Sequence, residues 1–189
     1  MKAGQLIGQA AGFVSANVHS PVSGQVTAVD SVPDAGGIRR IAVTIRREGD
    51  EWADGIDCGD TLIKECYLTD EEIIARITAA GIVGMGGATF PTQVKLSVPP
   101  GKRAEYLIVN GAECEPYLTS DHRVMLERSE ELLVGVTILM RALGVSGASI
   151  GIENNKPDAI ARLSRLAPSY PGIRGRSASG PLSAGGENS

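Results

Sequence analysis

Apolar and polar residues follow two different rhythms along this chain. Between Val18 and Val29 they alternate around the turn-forming Pro21 and Gly24, and Ile41, Val43 and Ile45 recur at every second position of a second run, Ile38 to Arg46. A period of two is that of a strand with one face buried. Residues 1–65 are therefore expected to form short strands, with Pro33 to Gly37 as a hairpin loop.

From Thr69 the period changes. Thr69 and Glu72 have the spacing of a capping box, and Ile73, Ile74 and Ile77 make the apolar stripe of a helix that Gly81 stops. Pro99-Pro100-Gly101 breaks the chain before an apolar strand at 106–110. Thr119 or Ser120 caps a short helix holding Asp121, His122 and Arg123. Ser129 starts a longer one, in which Leu132, Leu133, Val136, Leu139, Met140 and Leu143 recur at helical spacing. Gly144 ends it, Ala148 to Ile152 reads as a second strand, and Pro157 opens a helix to about Leu166. Strand, helix, strand, helix predicts a parallel α/β unit.

Between these elements lie two stretches that regular structure does not explain. Gly81, Gly84, Gly86 and Gly87 fall within seven positions, although each glycine weakens a helix or strand by about 0.5–1 kcal/mol relative to alanine. Bare backbone of this kind lets successive N–H groups converge on a phosphate, or lets a flat ring lie directly on the chain. Phe90 and Lys95 follow, an aromatic edge and a point charge at opposite ends of the loop. The dinucleotide fingerprint is not matched, since that motif follows a strand and here a helix precedes. The second stretch, Asn110 to Pro116, carries Glu113 and Glu115 at the C-terminal end of a strand, where open α/β sheets bind their ligands. Glu153-Asn154-Asn155-Lys156 follows the next strand and belongs to the same rim.

Composition narrows the classes. Hydrophobic residues make up 42% of the 189 and aromatics 4%, with a net charge of −4, an aliphatic-packed protein unsuited to nucleic acid or an anionic membrane surface. No apolar run approaches the ~18 residues of a membrane span, and no secretory leader is apparent, so cytosolic exposure is expected. Cys58, Cys66 and Cys114 are too far apart for a zinc site or an iron–sulfur cluster. Cys58 and Cys66 are expected to be small buried hydrophobes, and Cys114, between two carboxylates, a packing residue. His19 has no second ligand nearby and reads as a turn residue.

Gly-Met-Gly-Gly-Ala-Thr-Phe-Pro-Thr at 84–92, Asn-Gly-Ala-Glu-Cys-Glu-Pro-Tyr-Leu at 110–118 and Asp-His-Arg at 121–123 resemble the C subunit of the Rnf-type ion-translocating electron-transport complex. More distantly they resemble the flavin and NADH subunit of respiratory complex I. The resemblance covers about residues 1–170 and implies three parts. Residues 1–66 would be a barrel-sandwich hybrid module, with no hairpin-tip lysine for a prosthetic group between Lys2 and Lys64. Residues 67–170 would be a Rossmann-like parallel α/β domain binding FMN and NAD(H), and 171–189 a non-family tail, expected to be disordered because Arg174 to Ser189 is rich in Gly, Ser and Arg with almost nothing apolar to bury.

The resemblance also implies roles. Gly84, Gly86, Gly87 and Ala88 let the dinucleotide approach the flavin, and Phe90 stacks on the adenine or the ring edge. Lys95 meets a phosphate or the charge of the reduced flavin. Asn110 and Glu113 bond the flavin's polar edge or ribityl chain, Glu115 faces the nicotinamide, and Glu153 and Asn154 reach the ribityl or phosphate group. Complex I has an acidic residue where Ala112 stands, and that contact is not carried over.

Partners would be other subunits of the complex and, indirectly, ferredoxin, at the cytoplasmic face of the inner membrane. The family's two [4Fe-4S] motifs lie in a further helical part, and no cysteine follows residue 114 here. The chain also opens inside the family's first module, so a flavin- and NADH-binding piece without cluster ligands is expected. Two other readings stay open: a cobalamin reductase of the microcompartment type, and a fragment or quinone-reductase-like subunit that keeps the fold without the cofactor.

Overall fold

The structure, a computed structural model, describes residues 1–85, 88–113, 115 and 117–178. It divides into two compact units, one of Met1–Thr61 and Ile74–Ser97, the other of Leu62–Ile73 and the described residues from Val98 on. Among the described residues no helix is long and apolar enough to cross a membrane.

In the first unit β1 (Leu6–Gly8) pairs antiparallel with β2 (Val18–His19), and β3 (Gly24–Pro33) pairs antiparallel with β4 (Arg39–Arg47). The run from Val18 to Val29 is thus two strands. The break falls at Pro21, where the sequence predicts a turn, and buried Ser20 and Ser23 fasten it: Ser20 Oγ donates to Val22 O at 2.7 Å and Ser23 Oγ to Glu48 O at 2.8 Å. Asp34 shapes the expected hairpin loop, its Oδ1 accepting the N–H of Gly36 and of Ile38, both at 2.9 Å. Val29 pairs with Val43 and Ser31 with Ile41, yet Val29 and Ile41 are exposed. Alternation here marks strand periodicity and not a covered face.

Helix α1 (Asp70–Ala79) begins with the capping box, Thr69 N donating to Glu72 Oε2 at 2.8 Å and Glu72 N to Thr69 Oγ1 at 3.2 Å. Gly81 ends it at φ +65, where an added Cβ would stand 2.1 Å from Asn17 O; only glycine meets both demands. A short helix not expected from the sequence, α2 (Thr92–Leu96), starts behind Pro91.

The second unit is a three-stranded parallel sheet, β5 (Leu107–Asn110), β6 (Ala148–Glu153) and β7 (Ile173–Ala178), in that spatial order. Helices α3 (Ser120–Glu127), α4 (Ser129–Leu143) and α5 (Pro157–Leu166) lie where the sequence predicts them. Leu133, Val136 and Met140 of α4 and Leu163 of α5 pack with Ala148, Ile150 and Ile152 of β6 in one core. Burying that face leaves Ser149, Gly151 and Glu153 half-buried on the other, while Ile108 of the edge strand is 74% exposed.

Two expectations are corrected. Ile173–Ala178, placed in a disordered tail, forms β7, because Ile173 enters the core and the backbone pairs with β6 along its length. The composition argument counts side-chain burial and misses hydrogen bonds that a neighbouring strand supplies; residues 179–189 lie outside the described residues. Cys58 is exposed and Cys66 half-buried, not packed as hydrophobes.

Candidate functional site

The glycine stretch lies in the first unit and is closed at its base. Gly84 N donates to Phe90 O at 3.0 Å, Thr89 N to Gly84 O at 3.1 Å and Thr92 N to Ile82 O at 3.0 Å, with Val83 bridged to Pro91. The tip turns through Ala88 and Thr89, both at φ +54, a conformation that costs a non-glycine residue about 1–2 kcal/mol. Gly86 and Gly87 lie outside the described residues. Lys95, on α2, carries its ammonium 6.0 Å from the centre of the Phe90 ring. The charge and the ring therefore stand side by side, not at opposite ends of the loop.

Beneath the loop is a cavity of about 690 Å³, whose lining includes Val14, Asn17, His19, Gly81, Thr89 and Phe90. Two residues not singled out in the sequence tie its walls. Asn17 accepts Ala10 N at 2.9 Å and donates to Ala79 O at 3.1 Å, at the end of α1. Gln93 Nε2 donates to Ser15 O at 2.8 Å, and its Oε1 is buried without a partner. Neither lies in a chemical motif, and only the folded chain reveals them.

The acidic stretch belongs to the second unit. Asn110 ends β5, its Oδ1 accepting Ala112 N at 3.1 Å in a local turn. Glu113 and Lys156 are the two buried charged residues among those described, each 8% exposed. They meet: Lys156 Nζ donates to Glu113 Oε2 at 2.5 Å and lies 3.1 Å from Glu153 Oε2. Glu113 Oε1 accepts Asp121 N at 2.7 Å, so this carboxylate caps α3, and neither Thr119 nor Ser120 does so with its side chain. A negative group suits the positive end of a helix.

Burial opposes ionisation of Glu113. The Lys156 ammonium and the N–H groups of Asp121 and His122 outweigh it and hold the carboxyl below the usual range. Burial likewise opposes the charge on Lys156, and Glu113 and Glu153 overcome it, raising its affinity for the proton. His122 Nε2 lies 2.9 Å from Asp158 Oδ1, which it holds more acidic than usual.

Glu113, expected to touch a ligand, thus has both oxygens engaged within the protein. Glu115 and Asn154 are exposed, and Glu153 is half-buried. The structure joins Glu113 to Glu153 through Lys156, and Phe90 to Lys95. Lys156 could have been flagged in the sequence as the one cation of the 153–156 run, directly before Pro157.

A glycine loop that bares backbone, and a charged rim at the C-terminal ends of parallel strands, are features of a ligand-binding α/β protein. The Nuo51 FMN-binding domain family matches residues 77–183, and the RnfC barrel sandwich hybrid domain matches residues 1–50. The chain belongs to the Nuo51 FMN-binding family, and its relatives are C subunits of Rnf-type ion-translocating oxidoreductase complexes. The match continues past residue 170, the expected end of the resemblance.

Among relatives, the C subunit of the proton-translocating ferredoxin:NAD(+) oxidoreductase complex of Clostridium ljungdahlii is 48% identical over 85% of this chain and 35% of its own length. The C subunit of the Na(+)-translocating ferredoxin:NAD(+) oxidoreductase complex of Acetobacterium woodii is 46% identical over 85% of this chain and 36% of its own. The chain therefore spans about a third of the length of these relatives. A solved chain of an NAD+-reducing [NiFe]-hydrogenase is similar at 25% identity and TM-score 0.49, covering 60% of this chain and 22% of that one.

Proposed function

We propose that the chain is the FMN- and NAD(H)-binding part of a C subunit that passes electrons between NAD(H) and ferredoxin in an ion-translocating complex. One observation carries the reading: a single FMN-binding match spans both the glycine loop and the acidic rim, the two stretches that regular structure leaves unexplained. The other subunits would be its partners, at the cytoplasmic face of the membrane. The ion is open, because relatives of nearly equal identity are named for the proton and for Na(+).

The residues present fit FMN. An exposed ammonium beside an aromatic ring, Lys95 with Phe90, offers a partner for a phosphate and another for a flat heterocycle. The cavity under the loop is within the ~300–1,000 Å³ range of small-molecule sites.

In this reading Gly84, Gly86, Gly87 and Ala88 present backbone to the ligands, and Lys95 takes the phosphate or developing negative charge. Asn110 bonds the flavin's polar edge, Glu153 and Asn154 reach the ribityl or phosphate region, and Glu115 orients the nicotinamide. Glu113 supports them from beneath. When bound, FMN supplies the exchange between a two-electron donor and one-electron carriers; the protein binds, orients and excludes water. The sheet would take the Rossmann-like role of presenting ligands at its carboxyl rim.

Titrating the purified chain into FMN tests this: quenching of flavin fluorescence is expected, and its absence up to roughly 100 μM protein, a very weak affinity, overturns the reading. With the flavin loaded, anaerobic NADH should bleach its visible absorbance.

A further inference from the structure

Lys156 closes the 153–156 run but has no role of its own in the flavin reading, yet among the described residues it and Glu113 are the only buried charges. Removing two charges from water costs several kcal/mol each, so a buried ion pair contributes little net stability over a packed apolar pair. What such a pair does supply is fixed geometry. This one joins the chain leaving β5, the end of β6, the start of α5 and the first turn of α3. Its bonds are nearly all spoken for. Glu113 uses one oxygen for the ammonium and one for Asp121 N, while its own N–H points to Glu153 Oε2 at 3.4 Å. The same carboxylate of Glu153 lies against Lys156. Asn110, Glu115 and Asn154 stand exposed around this knot.

We infer that Lys156 is a positioning residue for ligand binding, acting through Glu113 to fix the loop from Asn110 to Glu115 and so aim its exposed groups at the flavin and nicotinamide. The inference rests on the flavin reading above.

The test compares Lys156→Met with the double variant Glu113→Gln/Lys156→Met in the 189-residue chain. Lys156→Met leaves a buried carboxylate unpaired, and FMN affinity per folded molecule is expected to fall about tenfold or more, equivalent to ~1.4 kcal/mol. In the double variant the glutamine still accepts from Asp121 N and carries no charge, so affinity is expected to return to within about threefold of the wild type. Unchanged affinity in folded Lys156→Met overturns the inference. So does a double variant as weak as the single one, because Lys156 would then touch the ligand itself.

If Lys156→Met does not fold, Glu113→Asp takes its place. It keeps both charges but shortens the reach, and should weaken FMN binding about threefold or more; unaltered affinity overturns the inference. A wild-type chain that binds no flavin defeats the functional reading separately. The link between Lys156 and the loop is then read from amide hydrogen exchange at Asp121 and His122. Lys156→Met should speed it at least about tenfold more than in the middle of α4, and equal change at both places overturns the link.

Discussion

The glycine loop and the acidic rim solve opposite problems. The loop from Ile82 to Pro91 is held by backbone bonds at its base and leaves Ala88, Thr89 and the Lys95 charge exposed. The rim buries two of its charges, Glu113 and Lys156, and satisfies them within the protein before any ligand arrives. Ligand contact in the first is available without altering the fold, whereas in the second the fold and the contact depend on the same groups. Changes to the buried pair of the rim should therefore be read in stability as well as affinity, and changes to the exposed Lys95 beside the loop in affinity alone.

The sharpest test of that contrast is Glu113→Leu, which strands Lys156 with Glu153 alone and uncaps α3. Unfolding free energy in urea should drop by about 3–5 kcal/mol, and a loss under about 1 kcal/mol would put the pair among surface ion pairs. Gly81→Ala is the corresponding break beside the loop. With φ at +65 and a Cβ 2.1 Å from Asn17 O, it should cost about 2 kcal/mol or more.

The pH dependence follows the same contrast. Glu113 and Asp158 are held more acidic in the fold than usual. Their contribution is complete above the unfolded carboxyl range of about 4 and disappears as pH falls through the lower folded values. The melting temperature should therefore fall as pH drops from about 5 toward 3, and the slope should flatten in Glu113→Gln. An unchanged slope would remove Glu113 from the account.

Two loop changes should be mild. Thr89→Gly relieves a left-handed β-branched residue and should raise unfolding free energy by about 0.5–1 kcal/mol. Lys95→Ala should move stability by less than about 0.5 kcal/mol yet weaken FMN binding about tenfold. A large stability loss in Lys95→Ala would erase the distinction between the two regions.

Local signals carried most of the element map. Thr69 with Glu72, the α4 stripe from Leu132 to Leu143, Gly144 as a left-handed cap and Pro157 at a first helical turn each act within a few residues, and each appears where the pattern placed it. The signals that failed were those whose outcome depends on a distant partner. Ile173–Ala178 became a strand because β6 offers a ladder, and α3 is capped by Glu113 instead of Thr119 or Ser120 because the chain brings that carboxylate to Asp121 N.

The site divides in the same way. The sequence by itself determined the residue types, bare backbone and an ammonium in one stretch and an amide with carboxylates in the other, because glycine spacing and charge are written locally. Tertiary structure decided their employment. It set Lys95 beside Phe90, turned Glu113 inward to cap α3, and brought Lys156 across 43 residues to neutralise it. A carboxylate's role depends on which donors surround it once water is excluded, and those donors come from segments that only the fold brings together.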